Sequence, residues 1–237
     1  MKKQLVILPG WNASKDSWQD FINLAQNQYE VICLELPCFG NEPCPEKIWE
    51  VADYAEFVKQ KIIDLNLARP ILLGHSFGGQ IAVYLAANNQ QLISKLILSG
   101  AAIIRPAKNL KRLVFEALAK TGKIIFKLPG LNGWEIKFKK ILYRLADSPD
   151  YNNASGSKRE IFKKVIRQDL RYLLPKINLP TLIIWGTKDS YVPLRYGKAI
   201  ARLIKNSQLK IIPNGRHGLH LEQPANLLNI ISEFIEN

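Results

Sequence analysis

The chain has 237 residues, of which 47% are hydrophobic, and its formal net charge at pH 7 is +13. This length and composition are those of a globular protein with a sizeable core, and they exclude a disordered or fibrous chain. No apolar run reaches the roughly 18 to 20 positions of a membrane span, and the opening MKKQLVILPG is too short in apolar residues for a signal peptide. We therefore expect a cytoplasmic protein.

Short apolar runs alternate with helical patterns along most of the chain. Strands are predicted at 4–8, 31–36, 71–73, 95–99, 181–185 and 208–212, and helices at 15–27, 51–65, 79–88, 194–204 and 224–235. Buried strands that alternate with helices are typical of a parallel sheet covered on both faces. The predicted fold class is α/β, with a mostly parallel sheet of about six strands.

The alternation is interrupted by a basic segment, residues 103–178, which carries 18 Lys and Arg against 6 Asp and Glu. It contains amphipathic helical patterns separated by Gly and Pro, and the polar stretch 151–160 predicts an exposed loop. We interpret 103–178 as an inserted helical cap subdomain. Residues 1–102 and 179–237 would form the core domain.

Three cysteines, Cys33, Cys38 and Cys44, lie close together with no histidine nearby to complete a zinc site. Cys33 falls in a strand pattern and the other two in a loop. A disulfide between Cys38 and Cys44 is not favoured in a reducing compartment, so free thiols are expected.

Residues 74–78, GHSFG, stand between a predicted strand and a predicted helix. The G-x-S-x-G spacing is that of a nucleophile elbow, in which a strained turn exposes the serine hydroxyl at the end of a strand. The helix start supplies free N–H groups and a positive dipole end, which suit a reaction that develops negative charge. Ser76 is therefore the candidate nucleophile, and His75 is interpreted as a turn residue pointing away from it.

A serine nucleophile needs a base and an acid that orients the base, and later loops offer both. Asp189 follows the strand at 181–185, and His217 follows the strand at 208–212. The carboxyl ends of parallel strands share one edge of the sheet, where catalytic groups collect. Two alternatives stay open: His220 as the base, and Asp189 as a helix N-cap.

The chain resembles the α/β-hydrolases that carry a helical cap, a group of esterases, lipases and carbon–carbon hydrolases. The resemblance extends over nearly the whole core domain and is carried by five segments: LPGWNAS (8–14), LELPCFGNE (34–42), GHSFGG (74–79), WGTKDSYVP (185–193) and GRHGLHLEQP (215–224). It implies Ser76 as nucleophile, His217 as general base and acid, and Asp189 as its orienting acid.

The resemblance also implies an oxyanion hole made by the backbone N–H groups of Trp11 and Phe77. Their side chains would line the substrate pocket or serve as plain core aromatics. His217 has the family's spacing to the E-x-P that follows, which favours it over His220. One departure concerns this site: Pro9 stands where the family has a histidine in the oxyanion loop, so the loop must be anchored differently.

These residues predict a serine hydrolase of carboxylic esters that works through an acyl-enzyme, without a metal or organic cofactor. A small-molecule ester is the expected substrate, and lactones such as N-acyl-homoserine lactones or acyl-carrier-protein methyl esters fit the same chemistry. Carbon–carbon bond hydrolysis is an alternative on the same fold. An alternative of another class is a non-catalytic binding protein that retains the fold.

The basic cap has three interpretations. It is a solvated polar face, a surface that attracts an anionic substrate or an acidic carrier protein, or a surface that adsorbs to anionic membranes. Nucleic acid is not expected, because the basic residues are interleaved with apolar ones and match no recognition motif.

Overall fold

The structure is a computed structural model in which residues 2–105 and 156–236 are described. These residues contain a six-stranded sheet. Its strands are β1 (Lys3–Leu8), β2 (Tyr29–Cys33), β3 (Ile71–His75), β4 (Lys95–Ser99), β5 (Thr181–Gly186) and β6 (Ser207–Ile212). The strand order is β2-β1-β3-β4-β5-β6, and every neighbouring pair is parallel. The predicted α/β class and parallel sheet are confirmed.

The four central strands, β1, β3, β4 and β5, bury side chains on both faces of the sheet, because side chains alternate in direction along a strand. In β1, Val6 and Leu8 join one hydrophobic cluster, and Leu5 and Ile7 join the other. The sheet is therefore sandwiched between two cores, as the apolar, non-alternating strand sequences indicate.

Helices cover both faces of the sheet. They are α1 (Gln19–Ala25), α2 (Val51–Asp64), α3 (Phe77–Asn88), α4 (Gly156–Val165), α5 (Leu194–Leu203), α6 (Leu219–Glu222) and α7 (Pro224–Glu236), with 3-10 turns at Lys15–Trp18, Gln90–Leu92 and Arg171–Lys176. Buried residues of α2 and α3 belong to the first cluster, and those of α1 and α7 to the second. No helix within the described ranges is long and apolar enough to cross a membrane.

One strand differs from its prediction. β2 begins at Tyr29 and ends at Cys33, two to three residues earlier than the apolar run 31–36 suggested. The buried Tyr29 ring makes an early start favourable, and the chain leaves the sheet after Leu34, whose N–H still donates to the Ile7 carbonyl. Leu36 is buried all the same, so hydrophobicity alone does not mark the end of the strand.

Most of the predicted cap, residues 106–155, lies outside the described residues. Its described remainder belongs with the sheet: the chain divides into a unit of Met1–Ile104 and Ser155–Asn237 and a unit of Arg105–Ala154. Helix α4 buries Ile161 and Val165 in the same cluster as α2 and α3. The loop prediction for 151–160 is wrong from Gly156 onward, because an apolar helix face that begins at Ile161 draws the preceding polar residues into the helix.

The expectation of free thiols at Cys38 and Cys44 is also wrong. A disulfide joins these two residues, whereas Cys33 is free. The loop after β2 turns back on itself, and the Cys38 N–H donates to the Pro43 carbonyl at 3.2 Å. This turn brings the two cysteines opposite each other, which their spacing in sequence does not reveal.

Candidate active site

Ser76 lies between the end of β3 and the first residue of α3. Its backbone has φ 51° and ψ −110°, an uncommon conformation for a residue with a side chain. Gly78 allows the tight turn, because a side chain there would overlap the Leu8 carbonyl. The segment 74–78 therefore has the backbone of the predicted elbow.

Asp189 and His217 are brought together although 28 residues separate them. The distance between His217 Nδ1 and Asp189 Oδ2 is 2.8 Å. The other oxygen of Asp189 accepts the backbone N–H groups of Tyr191 at 3.0 Å and Val192 at 2.8 Å. The buried carboxylate is thus held from both sides, and its contact with Nδ1 leaves Nε2 of His217 available as a proton acceptor.

The end of β4 connects this pair to the elbow. The carbonyl of Ser99 accepts the Ser76 N–H at 3.1 Å and faces His75 Nδ1 at 2.9 Å. The next residue, Gly100, has φ +55°, and a Cβ there would stand 3.1 Å from His217 Nδ1 and 3.3 Å from Asp189 Oδ2. The carboxyl end of β4 therefore contacts both the elbow at Ser76 and, through Gly100, the His217–Asp189 pair.

His220 is in a different environment from His217. Its ring stacks on Trp18, with centroids 4.0 Å apart and planes at 8°, and its Nδ1 has no hydrogen-bond partner among the described residues. Burial, and then the nearby His217, lower the pKa of His220 to about 4. Of these two histidines, His217 in the loop after β6 contacts Asp189, whereas His220 lies in α6.

His75 is a buried strand residue, and its ring lies 4.8 Å from that of His217. The interpretation of His75 as a turn residue is therefore wrong, because the strand continues through it, and its ring faces those of His217 and His220. Burial, followed by the charges of His217 and His220, lowers its pKa well below the usual value. Both His75 and His220 stay neutral at neutral pH.

The two residues assigned to the oxyanion hole are neighbours. Trp11 follows β1, and its ring meets that of Phe77 at 5.4 Å. Phe77 is the first residue of α3, so its backbone N–H has no acceptor within the helix. Phe77 is buried in the core cluster, whereas Trp11 is partly buried and packs against that cluster.

Two further aromatic rings contact Trp11. Phe39, from the loop after β2, and Phe162, from α4, both lie 4.8 Å from its ring centroid. Neither residue was singled out from the sequence. Phe39 stands inside the 34–42 segment, where an aromatic residue among turn residues was the available signal, whereas nothing in the polar start of α4 pointed to Phe162.

Across residues 2–105 and 156–236, no group of three or more His, Cys, Asp or Glu side chains is arranged to hold a metal ion. The chemistry that the site can perform with its own groups is proton transfer at His217 and nucleophilic attack by Ser76.

Comparison with known proteins identifies the family. A model of the alpha/beta hydrolase family matches residues 5–230. A pimeloyl-[acyl-carrier protein] methyl ester esterase of Neisseria meningitidis is 25% identical, with 99% of this chain and 93% of the relative covered.

Two solved structures share the fold. An esterase from Exiguobacterium antarcticum has a TM-score of 0.75 at 22% identity, covering 99% of this chain and 92% of the other. The enol-lactonase from Burkholderia xenovorans has a TM-score of 0.76 at 17% identity, covering 100% of this chain and 92% of the other.

Proposed function

The chain belongs to the alpha/beta hydrolase family, and from that premise we propose that it is a serine hydrolase of carboxylic esters. The observation that carries the proposal is the 2.8 Å contact between His217 Nδ1 and Asp189 Oδ2 at the sheet edge that bears the strained Ser76. A histidine held by a buried carboxylate beside a serine is the arrangement that activates a hydroxyl as nucleophile.

In the first half of the reaction, Ser76 Oγ attacks the ester carbonyl while Nε2 of His217 takes the hydroxyl proton. The backbone N–H groups of Trp11 and Phe77 would stabilise the oxygen anion that forms, acting where charge develops. His217 then gives its proton to the leaving alcohol, and the acyl group stays on Ser76. A water molecule, deprotonated by His217, releases the acid and restores the serine.

Asp189 has a defined part in these steps. One oxygen accepts two backbone N–H groups and the other contacts Nδ1 of His217, so the carboxylate holds the imidazole in one orientation and would stabilise its imidazolium form. His75 and His220 do not compete for the proton at neutral pH, because burial lowers the pKa of both. The proton therefore moves between His217 and the reacting groups.

The substrate class is an ester with an apolar acyl part. Four aromatic rings, those of Trp11, Phe39, Phe77 and Phe162, pack together beside the proposed oxyanion hole and form an apolar wall there. An acyl-carrier-protein methyl ester is the second candidate, favoured by the Neisseria relative, and the basic segment 103–178 would then attract the acidic carrier. Lactones fit the same mechanism, because a lactone is an ester whose leaving group stays attached.

A panel of p-nitrophenyl esters of increasing chain length tests the proposal, together with a homoserine lactone and methyl esters. Wild-type protein should hydrolyse at least one ester class and Ser76→Ala should lose about 10⁴-fold or more in kcat. Ser94→Ala is the matched control and should behave as wild type. Ser94 precedes the amino end of β4, whereas the candidate site lies at the carboxyl ends of the strands. Equal activity of wild type and Ser76→Ala would favour the non-catalytic binding protein.

A fluorophosphonate probe supplies a second readout that does not depend on guessing the substrate. Intact-mass analysis should show one adduct on wild type and none on Ser76→Ala. Modification of both proteins to the same extent would contradict the assignment of Ser76.

A further inference from the structure

The turn that carries Trp11 has a backbone that needs support. The N–H of Ala13 donates to the Gly10 carbonyl at 3.3 Å, which closes the turn around Trp11 and Asn12. Asn12 has φ 56°, a left-handed conformation that only glycine adopts freely and that asparagine adopts with the help of hydrogen bonds to its side chain. Pro9 precedes the turn and has neither an N–H nor a polar side-chain atom to tie it down.

Helix α4 contacts this turn through two residues one helical turn apart. Lys158 Nζ donates to the side-chain oxygen of Asn12 at 2.6 Å, and the same ammonium lies 4.9 Å from the ring centroid of Phe39. Phe162, four residues further on, packs its ring on Trp11 at 4.8 Å. Residues at i and i+4 share one helix face, so a single face of α4 meets both central residues of the turn.

We propose that Lys158 and Phe162 are positioning residues. They hold the turn at residues 10–13, here called the oxyanion turn, so that the Trp11 N–H points at the developing oxygen anion. The inference rests on the proposed function, since it assigns a role within the same site. Lys158 fixes Asn12, and Phe162 fixes the ring of the donor residue itself. Together they supply from α4 the anchoring that Pro9 cannot supply from within the loop.

The consequence for catalysis is specific. An oxyanion donor acts in the transition state and contributes little to binding the neutral ester, so loosening the turn should lower kcat and leave KM nearly unchanged. A displacement of about 1 Å in a catalytic group is enough for a loss on the order of 100-fold. A residue that only bound the substrate would instead raise KM.

Lys158→Met is the first test, because it keeps the methylene stem and removes only the ammonium. We expect kcat to fall about 10- to 100-fold with KM changed less than about 3-fold. The inhibition constant of an alkylboronic acid should rise by the same factor as kcat falls, because its tetrahedral adduct on Ser76 places an oxygen in the oxyanion hole. Lys158→Arg should restore most of both values.

Lys164→Met is the matched control. Lys164 lies on the same helix, but its ammonium makes an ion pair at 2.6 Å with Glu50, the residue that precedes α2, and not with the oxyanion turn. It should keep wild-type kcat and boronate affinity. Phe162→Ala is a second test variant, in which kcat should also fall while KM stays nearly unchanged. Thermal unfolding of all variants verifies that they fold.

Three outcomes would overturn the inference: unchanged kcat in both Lys158→Met and Phe162→Ala, a change confined to KM, or an equal loss in Lys164→Met. The proposed function fails by a different result, namely wild-type activity equal to that of Ser76→Ala. An active wild-type enzyme that is indifferent to Lys158→Met would therefore remove the positioning role and leave the hydrolase assignment intact.

Discussion

Gly100 lies against the imidazole of His217, at a distance where a single added methyl group would touch Nδ1. Gly100→Ala should therefore lower kcat by about 100-fold or more, because the Cβ pushes the His217–Asp189 pair out of line. Its positive φ adds a stability cost of about 1 to 2 kcal/mol.

Gly156→Ala separates the two effects in that experiment. Gly156 has φ +53°, nearly the same as Gly100, but a Cβ there meets nothing within 4 Å among the described residues. Gly156→Ala should lower the free energy of unfolding, measured in urea, without lowering kcat for ester hydrolysis. Equal kinetic losses in both variants would mean that backbone strain, and not contact with His217, disables the enzyme.

Asp189→Asn tests the orientation of the base. An amide at this position can donate to Nδ1 and so favour the tautomer with its proton on Nε2, which cannot accept the serine proton. We expect kcat to fall by about 10⁴-fold with little change in the melting temperature. Asp64→Asn, at the exposed end of α2, is the control, and a loss of less than 10-fold in Asp189→Asn would argue against this role.

The buried His220 predicts a loss of stability in mild acid. Its pKa is lowered to about 4 in the fold, against about 6.5 in the unfolded chain, so between these values the unfolded chain binds more protons. The stabilisation is complete above about pH 6.5 and is lost as the pH falls toward 4. The pKa difference corresponds to about 3 kcal/mol, to which His75 adds in the same direction.

Urea unfolding of wild type and His220→Phe at pH 7.5, 6.0 and 5.0 measures this effect. A phenyl ring keeps the stacking on Trp18 and does not titrate, so the variant should lose less stability between pH 7.5 and 5.0 than wild type. Parallel curves for the two proteins would contradict the prediction, because they would mean that His220 has the same pKa in the folded and the unfolded chain.

The Cys38–Cys44 disulfide determines how many thiols of the chain can react with a thiol reagent. Unfolded protein prepared without reductant should react as one thiol per chain, that of Cys33, and as three after reduction. Before unfolding, Cys33 should react slowly, because burial raises its pKa to about 12. Three thiols without reductant would mean that the bridge is not formed in solution.

Sequence patterns were sufficient for the fold because local signals determine it. The central strands are largely apolar runs, and GHSFG combines a turn, a serine and a helix start within five residues. Asp189 and His217 could be named as candidates since each follows a strand. Their catalytic roles stay predictions, although the contact between their side chains agrees with them.

Other features depend on distances between segments far apart in sequence. Nothing near Gly100 indicates that His217 will lie over it, and Lys158 is one of many basic residues in its segment until Asn12 is placed beside it. The stacking of His220 on Trp18 likewise joins opposite ends of the chain. Pattern analysis finds residues with the required chemistry, whereas their neighbours follow from tertiary packing.

The proposed site is drawn from loops that follow β1, β3, β5 and β6, so it spans almost the whole sheet. Parallel neighbours cannot pair until the intervening crossover has closed, which makes such contacts slow to form. Hydrolysis should then be among the last native properties to return during refolding, after the far-ultraviolet circular dichroism signal of the helices. Recovered activity would report docking of β6 beside β5, and so completion of the sheet.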